Sequence, residues 1–170
     1  MTTDRKDGDT APHLAARGSV VVREARAGDA PALASLATEL GYPSDPPTIA
    51  SRLGAITAAD GDVVFVAEVE GAIVGFIHGT EKQLLVSELY VELGGLIVSA
   101  SARRRGAARA LIEAVERWAR GRGVALLRVR TRVEREVADV AYRRCGFELE
   151  KQQRVFVKPL AGPSSPHDPR

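Results

Sequence analysis

The stretch that most constrains this chain is an apolar run, Leu93 to Val98, leading through Arg103-Arg104-Arg105-Gly106-Ala107-Ala108 into a strongly helical segment, Ala107 to Arg120. A strand, a basic glycine-containing turn and a helix N-terminus in that order make an anion site. The first turn of a helix leaves backbone N–H groups without intrahelical partners, and the helix dipole adds partial positive charge there. Gly106 and the small Ala107 and Ala108 let a large anion come close to that backbone. Arg103, Arg104 and Arg105 add formal charge beside it. Arginine runs are commonly solvated surface, but this one directly follows a strand and opens a helix. The ligand it predicts is a phosphate or pyrophosphate carried by a nucleotide-like cofactor. Neither G-x-x-x-x-G-K-[ST] nor a G-x-G-x-x-G followed by an acid occurs, which excludes the competing phosphate motifs.

The rest of the pattern alternates strand and helix. Val20 to Arg23 reads as a short strand. Asp29 is placed to cap a helix from Ala30 to Leu40, with Pro31 in its first turn and Gly41 at its end. A second helix spans about Pro47 to Thr57. Val63 to Glu70 and Ala72 to Gly79 are Val- and Ile-rich strands about a Glu70-Gly71 hairpin signal. Glu88 to Val98 is a longer strand interrupted by Gly94-Gly95, which predicts either a bulge that opens a slot in the sheet or simple relief of packing. Past the Ala107 helix, Gly121 and Gly123 precede a strand from Val124 to Arg130. Glu134 to Arg144 is a further helix, and Phe147 to Glu150 with Arg154 to Lys158 forms a terminal hairpin. Parallel and antiparallel pairs joined in this way describe an α/β fold with a mixed sheet. Residues 1–18 and 161–170 are polar or proline-rich and are expected to be disordered tails around a single domain, 19–160.

Two motifs carry a family resemblance. Val98-Ser-Ala-Ser-Ala-Arg103-Arg-Arg-Gly106-Ala-Ala108 resembles the acetyl-CoA-binding segment V-x-x-x-x-[QR]-x-x-G-x-[GA] of the GNAT superfamily of N-acetyltransferases. Arg135-x-x-Ala138-x-x-x-Tyr142-x-x-x-Gly146-Phe147 is similar to that family's second signature, with Arg135 where many members have Asn. The resemblance spans roughly Val20 to Leu160. It implies a central twisted mixed sheet flanked by about four helices. The implied activity is direct transfer of the acetyl group of acetyl-CoA to a primary amine of a small molecule or peptide, without an acyl-enzyme intermediate. The ending Lys151 to Leu160 resembles a bacterial branch that includes or borders on aminoglycoside 6′-N-acetyltransferases.

The resemblance also assigns roles. Ile97, Val98, Arg103, Arg104, Arg105, Gly106, Ala107, Ala108, Arg109 and Arg135 would hold the cofactor. Tyr142 would donate its phenolic proton to the departing thiolate. Glu92, six residues before Val98, would be the base or a carboxylate for a cationic acceptor. Glu88, Tyr90 and His78 would line the acceptor region, with Asp45, Glu81 and Glu150 adding negative charge. Histidines at 13, 78 and 167 have no metal-site spacing, so no metal is expected. A catalytically degenerate acyl-CoA sensor or interaction protein is the alternative.

Composition sets the outer bounds. A net charge of +2 over 170 residues gives no global field for nucleic acid or an anionic membrane, although the arginines between Arg103 and Arg132 form a local basic cluster. Apolar residues make up 45%, yet no run approaches the length of a membrane span. The N-terminus lacks a secretory apolar region, and the single cysteine, Cys145, fits a reducing compartment. The expectation is a cytoplasmic enzyme acting on a small-molecule or peptide amine, with no nucleic-acid or membrane partner and with a homodimer left open.

Overall fold

The hairpin signal at Glu70-Gly71 folds as its residues dictate. Both adopt positive φ, 53° and 79°, the geometry whose twist suits a two-residue strand connection. It joins strands β2 (Asp62–Val69) and β3 (Ala72–Lys82). Strand β1 (Val20–Glu24) pairs antiparallel with β2, and β4 (Tyr90–Val98) pairs antiparallel with β3. Strand β5 (Leu127–Val129) pairs parallel with β4. The sheet order is therefore β1-β2-β3-β4-β5, and the parallel pair is bridged by a crossover helix, α3 (Ala107–Gly121), as parallel neighbours require. This computed structural model describes residues 19–133 and 136–160, without the side chain of Glu136. The two expected tails and Arg135 lie outside the described residues.

Helices cover both faces of the sheet. Helix α1 (Ala30–Leu40) and helix α2 (Pro46–Ala58) pack on one face, where Leu33 and Leu53 form a core with Ala25, Val64 and Val66. Helix α3 takes the other face with buried Ala107, Leu111, Ile112, Ala114, Val115 and Ala119. Alternation along a strand sorts the side chains between the two layers. Of neighbouring residues in β2, Val64 joins the α1–α2 core, whereas Val63 and Val115 of α3 both lie beside Gly79. Ile77, Val66, Val91, Leu111, Ile112 and Val115 are the largest fully buried side chains.

The chain divides into two compact units, Met1–Arg130 and Thr131–Arg170. Within the second unit, α4 (Glu136–Arg144) ends at Gly146, whose φ is +87°. Tyr142 and Phe147 meet edge to face at 5.6 Å. The terminal hairpin is not formed: residues 147–160 carry no regular structure, and Leu149, Val155, Phe156 and Val157 are exposed. Alternating apolar residues make a strand only where a neighbouring edge accepts their backbone bonds, and no ladder contains this segment. The expected Val124–Arg130 strand shrinks to three residues for a related reason, since β5 meets β4 only opposite Val91 to Leu93.

One expected cap works differently. The Asp29 side chain makes no hydrogen bond to the first turn of α1. Its carboxylate instead receives both Arg23 Nη groups, at 2.8 and 2.9 Å, and the Arg26 backbone N–H at 2.7 Å. Arg23 also reaches Glu68 Oε1 through Nε at 2.8 Å, tying β1 to β2 and to the start of α1. The Arg23 guanidinium holds the Asp29 carboxyl below its ordinary value of 3.8, with the Arg26 amide adding to the effect. A depressed folded-state value stabilises the fold above the unfolded value, and that stability is lost as pH falls through the folded one. Asp29→Asn should cost about 1–3 kcal/mol at neutral pH. Denaturant titrations should show the gap between variant and wild type closing as the pH drops below the ordinary carboxylate range.

Candidate active site

The Gly94-Gly95 interruption is a bulge. In the β3–β4 ladder His78 pairs with Gly95 and Gly79 pairs with Leu93, leaving Gly94 as the extra residue. A Cβ at Gly94 would stand 3.0 Å from His78 Nδ1, so a side chain there would press on the His78 ring. The β5 pairing stops at Leu93, one residue before the bulge. Among the described residues β4 beyond that point has a ladder partner only on its β3 side. The two parallel strands therefore part at the bulge, and Ile97 (buried) and Val98 lie along the parted stretch.

The parted strand leads directly to the basic turn. After a short 3-10 turn, Ala100–Ala102, Arg103 is extended, Arg104 sits at φ +63° and Gly106 at φ +83° as the N-cap of α3. A left-handed arginine costs of order 1 kcal/mol, and such outliers tend to mark functional turns. The helical ladder starts with the Ala110 N–H donating to the Gly106 carbonyl at 3.0 Å, so the helix itself does not use the amides of Ala107 and Ala108. Ala107 is buried, Ala108 half-buried, and Arg103, Arg104, Arg105 and Gly106 are exposed. Arg109 points along the helix and pairs with Glu113 at 2.9 Å. This arrangement fits a pyrophosphate-bearing group: amides aimed outward at a helix N-terminus, a glycine without a side chain, and cations on the rim.

Polar residues of four strands share the α1–α2 face of the sheet. Register aligns Asp62 with Thr80, Thr80 with Glu92, and Glu92 with Arg128. Register partners present their side chains to the same face. His78 joins this row, its Nε2 lying 3.1 Å from both Asp62 Oδ1 and Thr80 Oγ1. Glu92 is mostly buried, and its Oε2 lies 3.1 Å from Arg130 Nη2. Arg128 stacks over the Tyr90 ring at 4.4 Å.

The other residues expected near the acceptor lie in different settings. Tyr90 is only 2% exposed and is a packed side chain beneath Arg128. Glu88 lies before the strand, which begins at Tyr90, and is exposed on the connecting segment. Glu81 is bound by Arg122 at 2.7 Å, and Arg122 also reaches Asp60 at 3.1 Å. Asp45 caps α2 by accepting from the Thr48 N–H at 2.7 Å, which holds its carboxyl below the ordinary range. Asp62 is a carboxylate of this polar row that sequence reasoning missed. Its signal, a polar residue at the start of an otherwise apolar strand, is common to many strand ends. Tyr142 belongs to the second unit, on α4 beside Phe147.

Comparison with known proteins agrees with the motifs. A family profile described as acetyltransferase (GNAT) family matches residues 31–147. An aminoglycoside N(6′)-acetyltransferase type 1 from Stenotrophomonas maltophilia is 34% identical over 148 residues, covering 82% of this chain and 93% of the relative. Among solved structures, AAC(6′)-Iy in complex with the bisubstrate analogue CoA-S-monomethyl-acetylneamine aligns with a TM-score of 0.74 at 23% identity, over 83% of this chain and 99% of that one. The aminoglycoside 6′-N-acetyltransferase AAC(6′)-Ih from Acinetobacter baumannii aligns with a TM-score of 0.75 at 14% identity, over 84% and 100%. On its paired motifs, its parted β4–β5 sheet and the profile match to most of its length, the chain belongs to the acetyltransferase (GNAT) family.

Proposed function

We propose that this chain is an acetyl-CoA-dependent enzyme of the bacterial cytoplasm, a single domain over residues 19–160, that acetylates a primary amine of a small molecule. The observation that carries the reading is the path from the Gly94 bulge to the Gly106 turn. A parted strand for the pantetheine arm runs without interruption into helix-start amides for the pyrophosphate. The relatives' acceptor class, aminoglycosides, is the first to test. Acetyl transfer needs a neutral amine, a polarised thioester carbonyl and a protonated leaving thiolate. Backbone N–H groups of β4 beyond the bulge, which have no β5 ladder partner among the described residues, are suited to the carbonyl, and we assign the Tyr142 phenol to the thiolate. Thermal shift with acetyl-CoA, then thiol release with kanamycin, spermidine and 2-phenylethylamine, tests the whole reading. Stabilisation without turnover on any amine would support the sensor alternative.

Five substitutions test the parts. Gly106→Val forces a β-branched residue to φ +83°, a strain of about 1–3 kcal/mol that distorts the turn. Acetyl-CoA affinity by calorimetry should fall about tenfold or more, whereas Arg104→Ala weakens it modestly because the amides remain. Normal affinity in Gly106→Val would remove the cofactor from this turn.

Tyr142→Phe deletes one O–H and keeps the ring. Single-turnover kcat should drop about 10²-fold with acetyl-CoA affinity retained; an unchanged rate means another group protonates the thiolate.

Glu92 is engaged by Arg130, so a cationic acceptor must compete with that guanidinium. Glu92→Gln should raise KM for cationic amines more than it lowers kcat. Arg130→Ala, by freeing the carboxylate, should lower that KM, and steady-state kinetics with both variants separates a charge contact from a base.

A further inference from the structure

His78 stands where β2, β3 and the bulge of β4 meet. Its Nε2 faces the Asp62 carboxylate and the Thr80 hydroxyl, each at 3.1 Å. A carboxylate only accepts hydrogen bonds, so the neutral ring carries its proton on Nε2. The lone pair is then left on Nδ1, the ring atom directed at Gly94, where a Cβ would stand 3.0 Å away. The glycine keeps this basic atom clear of side chains at the point where the sheet parts. Beside His78, between the α1–α2 layer and the sheet, a cavity of about 130 Å³ is lined by Leu33, Ile49, Leu53, Ile56 and Phe76. That is the volume of about four waters, enough for a short carbon segment of an amine.

We propose that His78 is the base that takes the proton from the acceptor's ammonium, with Asp62 and Thr80 as its positioning residues. The proposal rests on the acetyltransferase reading with the thioester at the bulge. The ammonium N–H bond breaks and its proton passes to His78 Nδ1, leaving an imidazolium whose Nε2–H is held by Asp62. The freed amine forms the C–N bond at the thioester carbon, and the C–S bond breaks. The departing thiolate takes up a proton as the surplus proton on the new amide nitrogen leaves to solvent. His78 returns its proton to solvent, so one proton is released per acetyl group transferred. Glu92 shares this face but is occupied by Arg130. Other charged groups bear on His78 at the margins. Lys82 lies on the same strand face, Arg52 of α2 lines the same cavity, and Glu39, the one charged residue of α1, accepts from the Ala100 amide.

The test uses the full chain with kanamycin and 2-phenylethylamine as probes. His78→Gln should lower kcat about 10²-fold and abolish the acid limb of the pH–rate profile, leaving the acetyl-CoA thermal shift intact. His78→Ala should regain rate with added imidazole, which also guards against a misfolded glutamine variant. Asp62→Asn should lower kcat less, without changing acetyl-CoA affinity. Nitrogen-15 NMR of the substrate-free protein should show the Nε2–H tautomer, relaxed in Asp62→Asn. An Nδ1–H tautomer, or wild-type kcat and pH profile in His78→Gln, overturns the role of His78 alone. A wild-type chain with no acetyl-CoA shift and no thiol release overturns the functional reading and this proposal with it.

Discussion

The parting of β4 from β5 at Gly94 is the constraint on which the rest of the site depends. A parallel pair satisfies its backbone groups through continuous pairing, and this pair abandons it after Leu93. The antiparallel side of β4 holds the strand in place, because β3 stays paired as far as Val98. Beyond the bulge one side of the strand is bonded to β3, while the other has no ladder partner among the described residues. The bulge also shifts the register by one residue, so that His78 pairs with Gly95 while the extra residue, Gly94, lies against its ring.

Charge around the site is arranged in closed pairs. Glu92 has Arg130, Glu81 has Arg122, Asp62 has His78, and Arg23 is held between Asp29 and Glu68. A carboxylate in one of these pairs can bind another cation only by releasing its arginine or histidine. Displacing Arg130 is the easiest exchange, since that side chain is 59% exposed and exposed pairs are worth little. Glu92 is therefore the paired carboxylate most open to exchange, and the apolar lining lies apart from it, beside His78.

The sequence was most legible where local chemistry decides. Pro31 and Gly41 bracket α1 as expected, Glu70-Gly71 makes its turn, Gly94 makes a bulge and Gly106 opens α3. It was least legible where tertiary pairing decides. The apolar residues from 147 to 160 alternate like a strand but have no ladder, and Tyr90 reads as a surface aromatic until Arg128 is stacked on it. The Asp62–His78 pair was hidden by arithmetic. Counted from the Val69–Ala72 pair beside the turn, His78 would sit opposite Val63. A register shift between Ala67 and Glu68 moves it opposite Val64 and brings its ring within reach of Asp62.

That hidden shift divides the labour within the site. Two irregularities, one in each hairpin, set the position of His78: the shift at Ala67/Glu68 fixes which β2 side chain orients the ring, and the bulge at Gly94 fixes what its free nitrogen faces. Neither irregularity is needed to build a stable sheet, since each interrupts a ladder that would otherwise be continuous. Both therefore cost pairing without adding core, and what they yield is one ring held between a carboxylate and an opening. Glu92, in an unbroken part of the ladder, gains no such opening and keeps its arginine. Position relative to the bulge, more than residue type, separates a ring that faces a glycine from a carboxylate that keeps its arginine.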